Sequence, residues 1–177
     1  ATFILIFIGA GAIMTSTATG GATGLTGIAL AHGLAIFIGV AAMGHVSGAH
    51  INPAVTVGFL ITRRIPVLNG GVYIVAQLVG ATVGALVLRA AFTSELVADS
   101  SLGTPALGPG VTMATGILLE AGLTSFLVTV IFQTAGHPQG PKAIAPLAIG
   151  FTITLDILMG GPLTGAAMNP ARAFGPA

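Results

Sequence analysis

Two identical tripeptides in this sequence could hold a polar solute. Asn52-Pro53-Ala54 and Asn169-Pro170-Ala171 lie 117 positions apart. Asn is a favoured helix cap and Pro suits the first helical position, so each tripeptide predicts the start of a helix. A helix N-terminus carries about half a positive charge, and a capping Asn can still donate an N–H to a solute oxygen. We therefore expect two electropositive, hydrogen-bonding helix ends.

The composition places these helix ends in a membrane. Only 5% of the 177 residues are charged and 54% are hydrophobic, whereas a soluble domain carries roughly 25% charged residues. The 27 glycines favour helices that pack closely in lipid. A net charge of +1 gives no field for nucleic-acid phosphates, and the absence of Cys excludes disulfides and thiolate metal sites. No residue pattern points to a cofactor or a metal.

Five apolar segments are candidate membrane spans, since about 20 apolar residues cross a bilayer. They cover residues 1–15, 25–42, 70–92, 111–133 and 144–159. The first span is short, and it lacks a charged leader and a cleavage site, so we interpret it as part of a longer helix rather than a signal peptide. The connection 93–110 contains Glu95, Asp99 and two prolines, which predicts an exposed loop.

Two further apolar segments are too short to span. One covers residues 49–62, and the other begins at Asn169. The surrounding decapeptides, SGAHINPAVT and TGAAMNPARA, share five of ten residues, which indicates an internal duplication. Three spans separate the copies, so the two half-length helices should enter the membrane from opposite sides. The predicted fold is an all-α, inverted-repeat bundle of six spans with two re-entrant half-helices.

The repeat spacing also predicts how the chain is divided. We expect a single domain over 1–177, with one repeat at 1–92 and a second, truncated repeat at 110–177. The span that follows the first half-helix at residue 70 would have its counterpart near residue 187. The sequence therefore predicts a fragment that lacks its sixth span and the beginning of its first.

The basic residues predict the orientation of the chain. Arg63, Arg64 and Lys142 fall on one side by span counting, and Glu95 and Asp99 fall on the other. Cytoplasmic loops are enriched in Lys and Arg, so the first group should be cytoplasmic.

The residues before each Asn predict a second set of polar groups. Irregular backbone at membrane depth is tolerated only where it is buried in protein or lines a cavity. We therefore expect these segments to offer carbonyl oxygens to a passing solute. The candidates are Gly48, Ala49, His50, Ile51, Gly165, Ala166, Ala167 and Met168.

The paired motifs SGAHINPAVT and TGAAMNPARAFGPA, separated by three spans, resemble the major intrinsic proteins, which comprise aquaporins and glycerol facilitators. The resemblance covers the whole chain. It implies a passive channel, an assembly of four copies, and water or small neutral solutes as the permeants.

In the resembled family, an Arg at the position of Arg172 forms a narrow filter with three other residues. These correspond here to His32, Ile157 and Ala166. The set is similar to that of some plant tonoplast intrinsic proteins, and it lacks the large aromatics of glycerol facilitators. Ala173 also departs from the Asp that is typical of glycerol facilitators. The resemblance therefore favours water, with ammonia or urea as further solutes.

Two carboxylates lie within the predicted spans. The resemblance implies that Glu120 is a structural brace that accepts hydrogen bonds from a half-helix loop, rather than a proton relay. Asp156 precedes Ile157 by one residue, so about 100° of helical rotation turns it away from the solute path. We expect a structural role for Asp156. For His32, the alternative to a place in the filter is a histidine of the helix core that is hydrogen-bonded between helices.

Several other functions remain as alternatives. A glycerol or small-polyol facilitator of the same family is the runner-up, and a secondary transporter also uses inverted repeats and broken helices. An intramembrane hydrolase is disfavoured because no nucleophile motif is present, so we expect no enzyme activity. The resulting prediction is a multi-pass water channel in a lipid bilayer, in the cell membrane of a microbe or the vacuolar membrane of a plant.

Overall fold

The structure is a computed structural model that describes residues 1–177, and it is entirely helical. The eight helices are α1 Thr2–Ala18, α2 Gly24–Ser47, α3 Pro53–Ile61, α4 Val67–Ala91, α5 Ser94–Ser100, α6 Met113–Gly136, α7 Ala145–Thr164 and α8 Pro170–Phe174. Helices α2, α4, α6 and α7 are long and apolar enough to cross a membrane, and α1 is shorter. The predicted all-α fold with two half-helices is therefore confirmed.

The half-helices begin where the sequence predicts. Asn52 caps α3 and Asn169 caps α8, each with Pro at the first helical position. The helices that precede them, α2 and α7, both end at a glycine with left-handed backbone, Gly48 and Gly165. This conformation turns the chain back into the bundle, and glycine adopts it without the steric cost that a Cβ imposes.

The predicted exposed loop at 93–110 is wrong in part. Residues Ser94–Ser100 form helix α5, and the following Leu102 and Gly103 are buried. Leu102 packs into an apolar cluster with Ile6, Ala10 and Met14 of α1. Because the residues around Leu102 are mostly polar, the sequence pattern hides this apolar contact. The contact holds the loop against the bundle.

The loops that follow α3 and α6 lie at the same end of the bundle. Arg64 Nη1 donates to the carbonyl oxygen of Gly136 at 2.9 Å, and its guanidinium lies 4.8 Å from the centre of the Phe132 ring. Lys142 follows in the second of these loops. The contact joins two of the basic segments that the sequence assigns to one side of the membrane.

The closest helix crossing joins α2 to α7. A Cβ on Gly33 would lie 2.5 Å from the carbonyl oxygen of Gly150, and one on Gly150 would lie 2.6 Å from that of Gly33. Thr154 Oγ1 donates across the same crossing to the carbonyl oxygen of Ala29 at 3.3 Å. In lipid, helices associate through such close packing and hydrogen bonds rather than through the hydrophobic effect. This crossing fixes α2 against α7 along most of their length.

We predict that Gly33→Ala lowers stability by roughly 1–3 kcal/mol, because the new methyl group would overlap backbone of α7 that cannot rotate away. Thermal unfolding of the purified protein in detergent measures the effect. Gly122→Ala is the matched control, since a Cβ there meets no atom within 4 Å. Equal unfolding midpoints for the two variants would contradict the assigned packing role.

Candidate functional site

The two half-helices are joined by a reciprocal pair of hydrogen bonds. Asn52 Nδ2 donates to the carbonyl oxygen of Met168 at 2.8 Å, and Asn169 Nδ2 donates to that of Ile51 at 2.9 Å. Each amide thus bonds to the residue that precedes the other Asn. Both side chains are at least 94% buried. An amide nitrogen has two N–H groups, so one on each Asn remains for another acceptor.

The same two side chains also cap their own helices. Asn52 Oδ1 accepts from the backbone N–H of Ala54 at 2.8 Å. Asn169 Oδ1 accepts from Ala171 at 3.0 Å and from Arg172 at 3.3 Å. Both oxygens are therefore turned towards the helices and both nitrogens away from them. This orientation leaves N–H donors, rather than acceptors, where the helix ends meet.

The backbone before each Asn has the same irregular conformation in both repeats. Positive φ angles occur at Ala49 and Ile51 in the first, and at Ala166 and Met168 in the second. Non-glycine residues rarely adopt such angles, and they persist only where the surrounding structure enforces them. The match between repeats shows that the internal duplication extends from the motif to the backbone path.

Glu120 of α6 enforces the second of these segments. Its Oε1 accepts from Thr164 Oγ1 at 2.6 Å and from the N–H of Ala167 at 2.9 Å, and its Oε2 accepts from the N–H of Met168 at 2.7 Å. Two backbone donors that no helix satisfies are thereby paired inside the membrane region. These three hydrogen bonds join α6 to the segment that precedes Asn169.

The first segment is held by a different, uncharged network. His50 Nδ1 lies 3.1 Å from Thr56 Oγ1, which also accepts from Gln77 Nε2 at 3.0 Å. The His50 ring stacks between Phe59 and Tyr73, at centre-to-centre distances of 4.5 and 4.6 Å. The two repeats therefore reach the same backbone conformation with supports that are shared only in part, since the equivalent hydroxyls of Ser47 and Thr164 each accept from the N–H two residues later.

A single elongated cavity of about 560 Å³ connects most of the predicted site. On α7 it is lined by every fourth residue from Ala145 to Ile157, which at 1.5 Å per residue corresponds to a length of about 18 Å. Asn52 and Asn169 both line it. The carbonyl segments contribute Gly48, Ala49, His50, Ala166, Ala167 and Met168, but Ile51 and Gly165 do not line it.

His32, Ile157, Ala166 and Arg172 also line this cavity, and each is at least 95% buried. His32 Nδ1 lies 2.9 Å from the carbonyl oxygen of Ile28. A carbonyl can only accept, so Nδ1 carries the proton. In the neutral ring Nε2 then has a free lone pair, and it has no partner in the protein. This nitrogen is itself buried, next to Gly9 of α1.

Arg172 is held by a residue that the sequence reading missed. Its Nη1 donates to the carbonyl oxygen of Gly103 at 2.7 Å. Gly103 contributes only backbone, which leaves no side-chain signature by which to find it. Leu5 of α1 is a second missed lining residue, because its apolar side chain looks like any other in a membrane helix.

Asp156 does not line the cavity, in keeping with its predicted rotation away from the solute path. Its side chain is 97% buried, and Oδ2 has no hydrogen-bond partner. Pro53, Ala54, Pro170 and Ala171 also lie outside the cavity lining. Their contribution is to the two helix starts.

The comparisons with known proteins agree over the whole chain. The model of the family described as Major intrinsic protein matches residues 1–177. Aquaporin TIP4-4 of Zea mays is 44% identical over 182 residues, which cover 99% of this chain and 71% of the relative. Probable aquaporin TIP3-2 of Arabidopsis thaliana is 44% identical over 188 residues, covering 99% of this chain and 68% of the relative.

A solved structure shares the architecture. The X-ray structure of the aquaglyceroporin from Plasmodium falciparum superposes with a TM-score of 0.84 at 28% sequence identity. The match covers 98% of this chain and 74% of that chain.

We predict that Glu120→Gln destabilises the protein by about 1–3 kcal/mol, because an amide has one oxygen and cannot accept all three hydrogen bonds of the carboxylate. At least one buried donor, such as the N–H of Met168, would lose its partner. Thermal unfolding in detergent measures the loss. Glu95→Gln, on the exposed face of α5, is the control, and a similar midpoint for both variants would refute the brace.

Proposed function

Because the chain belongs to the major intrinsic protein family, the family of the aquaporins, we propose that it is a passive transmembrane water channel that also admits ammonia or other small neutral solutes. The observation that carries this proposal is the crossed pair of hydrogen bonds between Asn52 and Asn169. It brings two helix N-termini together beside one elongated cavity. The family is one of channels rather than of enzymes.

The crossed pair explains how water could pass without protons. Each Asn keeps one N–H beyond the crossed bond, and the two helix ends add about half a positive charge each. A water molecule that accepts from both amides has its hydrogens turned outward, so it cannot relay a proton along the file. The positive helix ends also repel cations. Aquaporin-type pores are the established example of this form of selectivity.

The four-residue filter would select solutes by the groups they carry. Arg172 supplies fixed donors, and the buried His32 ring forms part of the cavity wall. Ile157 and Ala166 add apolar surface to the wall of the cavity. A small neutral solute such as water can accept a hydrogen bond from Arg172. Ammonia can likewise accept through its lone pair, whereas an ion would lose its hydration without adequate replacement.

A glycerol or small-polyol facilitator is the second candidate. The structural match to the aquaglyceroporin from Plasmodium falciparum favours it. The site itself favours water, because neither Ile157 nor Ala166 offers the large aromatic surface that the resemblance associates with glycerol passage. We retain water as the principal permeant.

The protein is a multi-pass integral membrane protein, and three features of its organisation belong to the proposal. Residues 1–177 act as one channel domain made of repeats 1–92 and 110–177. The loops with Arg63-Arg64 and Lys142 face the cytoplasm, following the excess of basic residues on that side. The functional assembly is a homotetramer in the lipid bilayer.

Stopped-flow light scattering on proteoliposomes tests the function. With an impermeant osmolyte we expect faster shrinkage than in empty vesicles. With glycerol we expect the same fast shrinkage and no re-swelling, because the filter favours water. Rapid re-swelling in glycerol would establish the facilitator instead. Shrinkage no faster than in empty vesicles would overturn both channel functions.

Arg172→Ala should make the channel leak protons, because the positive charge and fixed donors beside the cavity are lost. A pH-sensitive dye inside the proteoliposomes reports the proton flux under an imposed potential. Arg89→Ala, an exposed Arg on α4, is the control and should leave the flux unchanged. An unchanged flux in Arg172→Ala would remove Arg172 from the filter.

A further inference from the structure

Helix α1 supplies none of the four filter residues, yet two consecutive small residues of α1 support the filter from behind. Gly9 stands against the ring of His32, and Ala10 stands against Gly103. Gly103 is the residue whose carbonyl oxygen holds Arg172. These two neighbouring residues of α1 therefore contact His32 itself and the loop residue that holds Arg172.

The contact at Gly9 leaves no space for a side chain. A Cβ on Gly9 would lie 2.5 Å from Cδ2 and 2.6 Å from Nε2 of His32. Ordinary contact begins at 3.4 Å, so the ring would have to move by about 0.9 Å. The other side of His32 lines the cavity, and its Nδ1 is anchored to Ile28. A displaced ring would consequently move towards the cavity.

The contact at Ala10 is also close. A Cβ on Gly103 would lie 3.0 Å from Cβ and 3.1 Å from Cα of Ala10. Ala10 is 98% buried, and it shares its apolar cluster with Leu102, which anchors the loop before Gly103. A larger side chain at Ala10 would push this loop outward and carry the Gly103 carbonyl away from Arg172.

The local conformation of α1 brings these two residues to their places. Leu5–Ala10 form a π-turn within the helix. Such turns are frequent at functional sites in α-helices. Successive helical residues point about 100° apart, so Gly9 and Ala10 face different neighbours: α2 for Gly9, and the loop at 101–103 for Ala10.

We propose that Gly9 and Ala10 are positioning residues that set the selectivity of the channel. Gly9 fixes how far the His32 ring reaches into the cavity, and Ala10 fixes the carbonyl that holds Arg172. The proposal rests on the proposed function, because it gives the filter residues the roles described above.

The test at Gly9 compares Gly9→Ala, His32→Ala and the double variant in proteoliposomes. Gly9→Ala should lower the water permeability per channel about tenfold, which corresponds to a barrier higher by about 1.4 kcal/mol. The double variant should conduct like His32→Ala, because the ring that the new methyl group displaces is gone. Gly11→Ala is the matched control, since its Cβ would meet only Leu88 Cδ2, at 3.2 Å.

The test at Ala10 uses selectivity rather than rate. Ala10→Val should raise the proton flux on the order of tenfold, in the direction of Arg172→Ala, because a hydrogen bond to a charged group is lost. Gly9→Ala should leave the proton flux low, since Arg172 keeps its partner. Unchanged proton flux in Ala10→Val would overturn the role of Ala10.

The remaining outcomes separate this inference from the function on which it rests. If His32→Ala changes solute selectivity but Gly9→Ala matches Gly11→Ala, the role of Gly9 is refuted and the filter stands. If neither His32→Ala nor Arg172→Ala has an effect, the filter itself fails. If Gly9→Ala does not fold, a double variant that folds and conducts like His32→Ala supports the ring contact. A double variant that also misfolds assigns Gly9 to helix packing and overturns the proposal.

Discussion

The structure depends on how two broken helices satisfy their backbone in a membrane. Each half-helix exposes N–H and C=O groups at a depth where no lipid can pair with them. The crossed hydrogen bonds of Asn52 and Asn169 meet part of this requirement for both half-helices at once. Because each Asn also caps its own helix, one side chain fixes the start of a helix and its position relative to the other. The geometry of the proposed water site therefore follows from these two hydrogen bonds.

The supports around the crossed pair are not symmetric, although the backbone is. The second repeat uses the Glu120 carboxylate, and the first uses the hydrogen-bonded set His50, Thr56 and Gln77. What the duplication preserves is thus the backbone conformation, the two Asn caps and the hydroxyls of Ser47 and Thr164, whereas the other supports differ. This difference places the Glu120 carboxylate beside the half-helix that carries Arg172, where its negative charge complements the positive guanidinium.

Close packing does the rest of the positioning. The crossing of Gly33 and Gly150 fixes α2 against α7, and these helices carry His32 and Ile157 respectively. Gly9 and Ala10 of α1 likewise act through close packing at small residues. In each case a side chain of at most one carbon lets backbone or a ring occupy a defined place. A glycine-rich composition in this chain consequently serves the geometry of the cavity as well as the packing of the bundle.

The sequence alone determined the membrane class, the duplicated tripeptides, the half-helices and the inverted arrangement, because these follow from hydropathy, capping preferences and repeat spacing. It also singled out Glu120 and the four filter residues through a family resemblance. Only the tertiary structure decided that the Asn amides cross, that Gly103 holds Arg172, and that Gly9 confines His32. These contacts join backbone atoms and glycines far apart in the chain, and such groups have no side-chain chemistry for a sequence pattern to reveal.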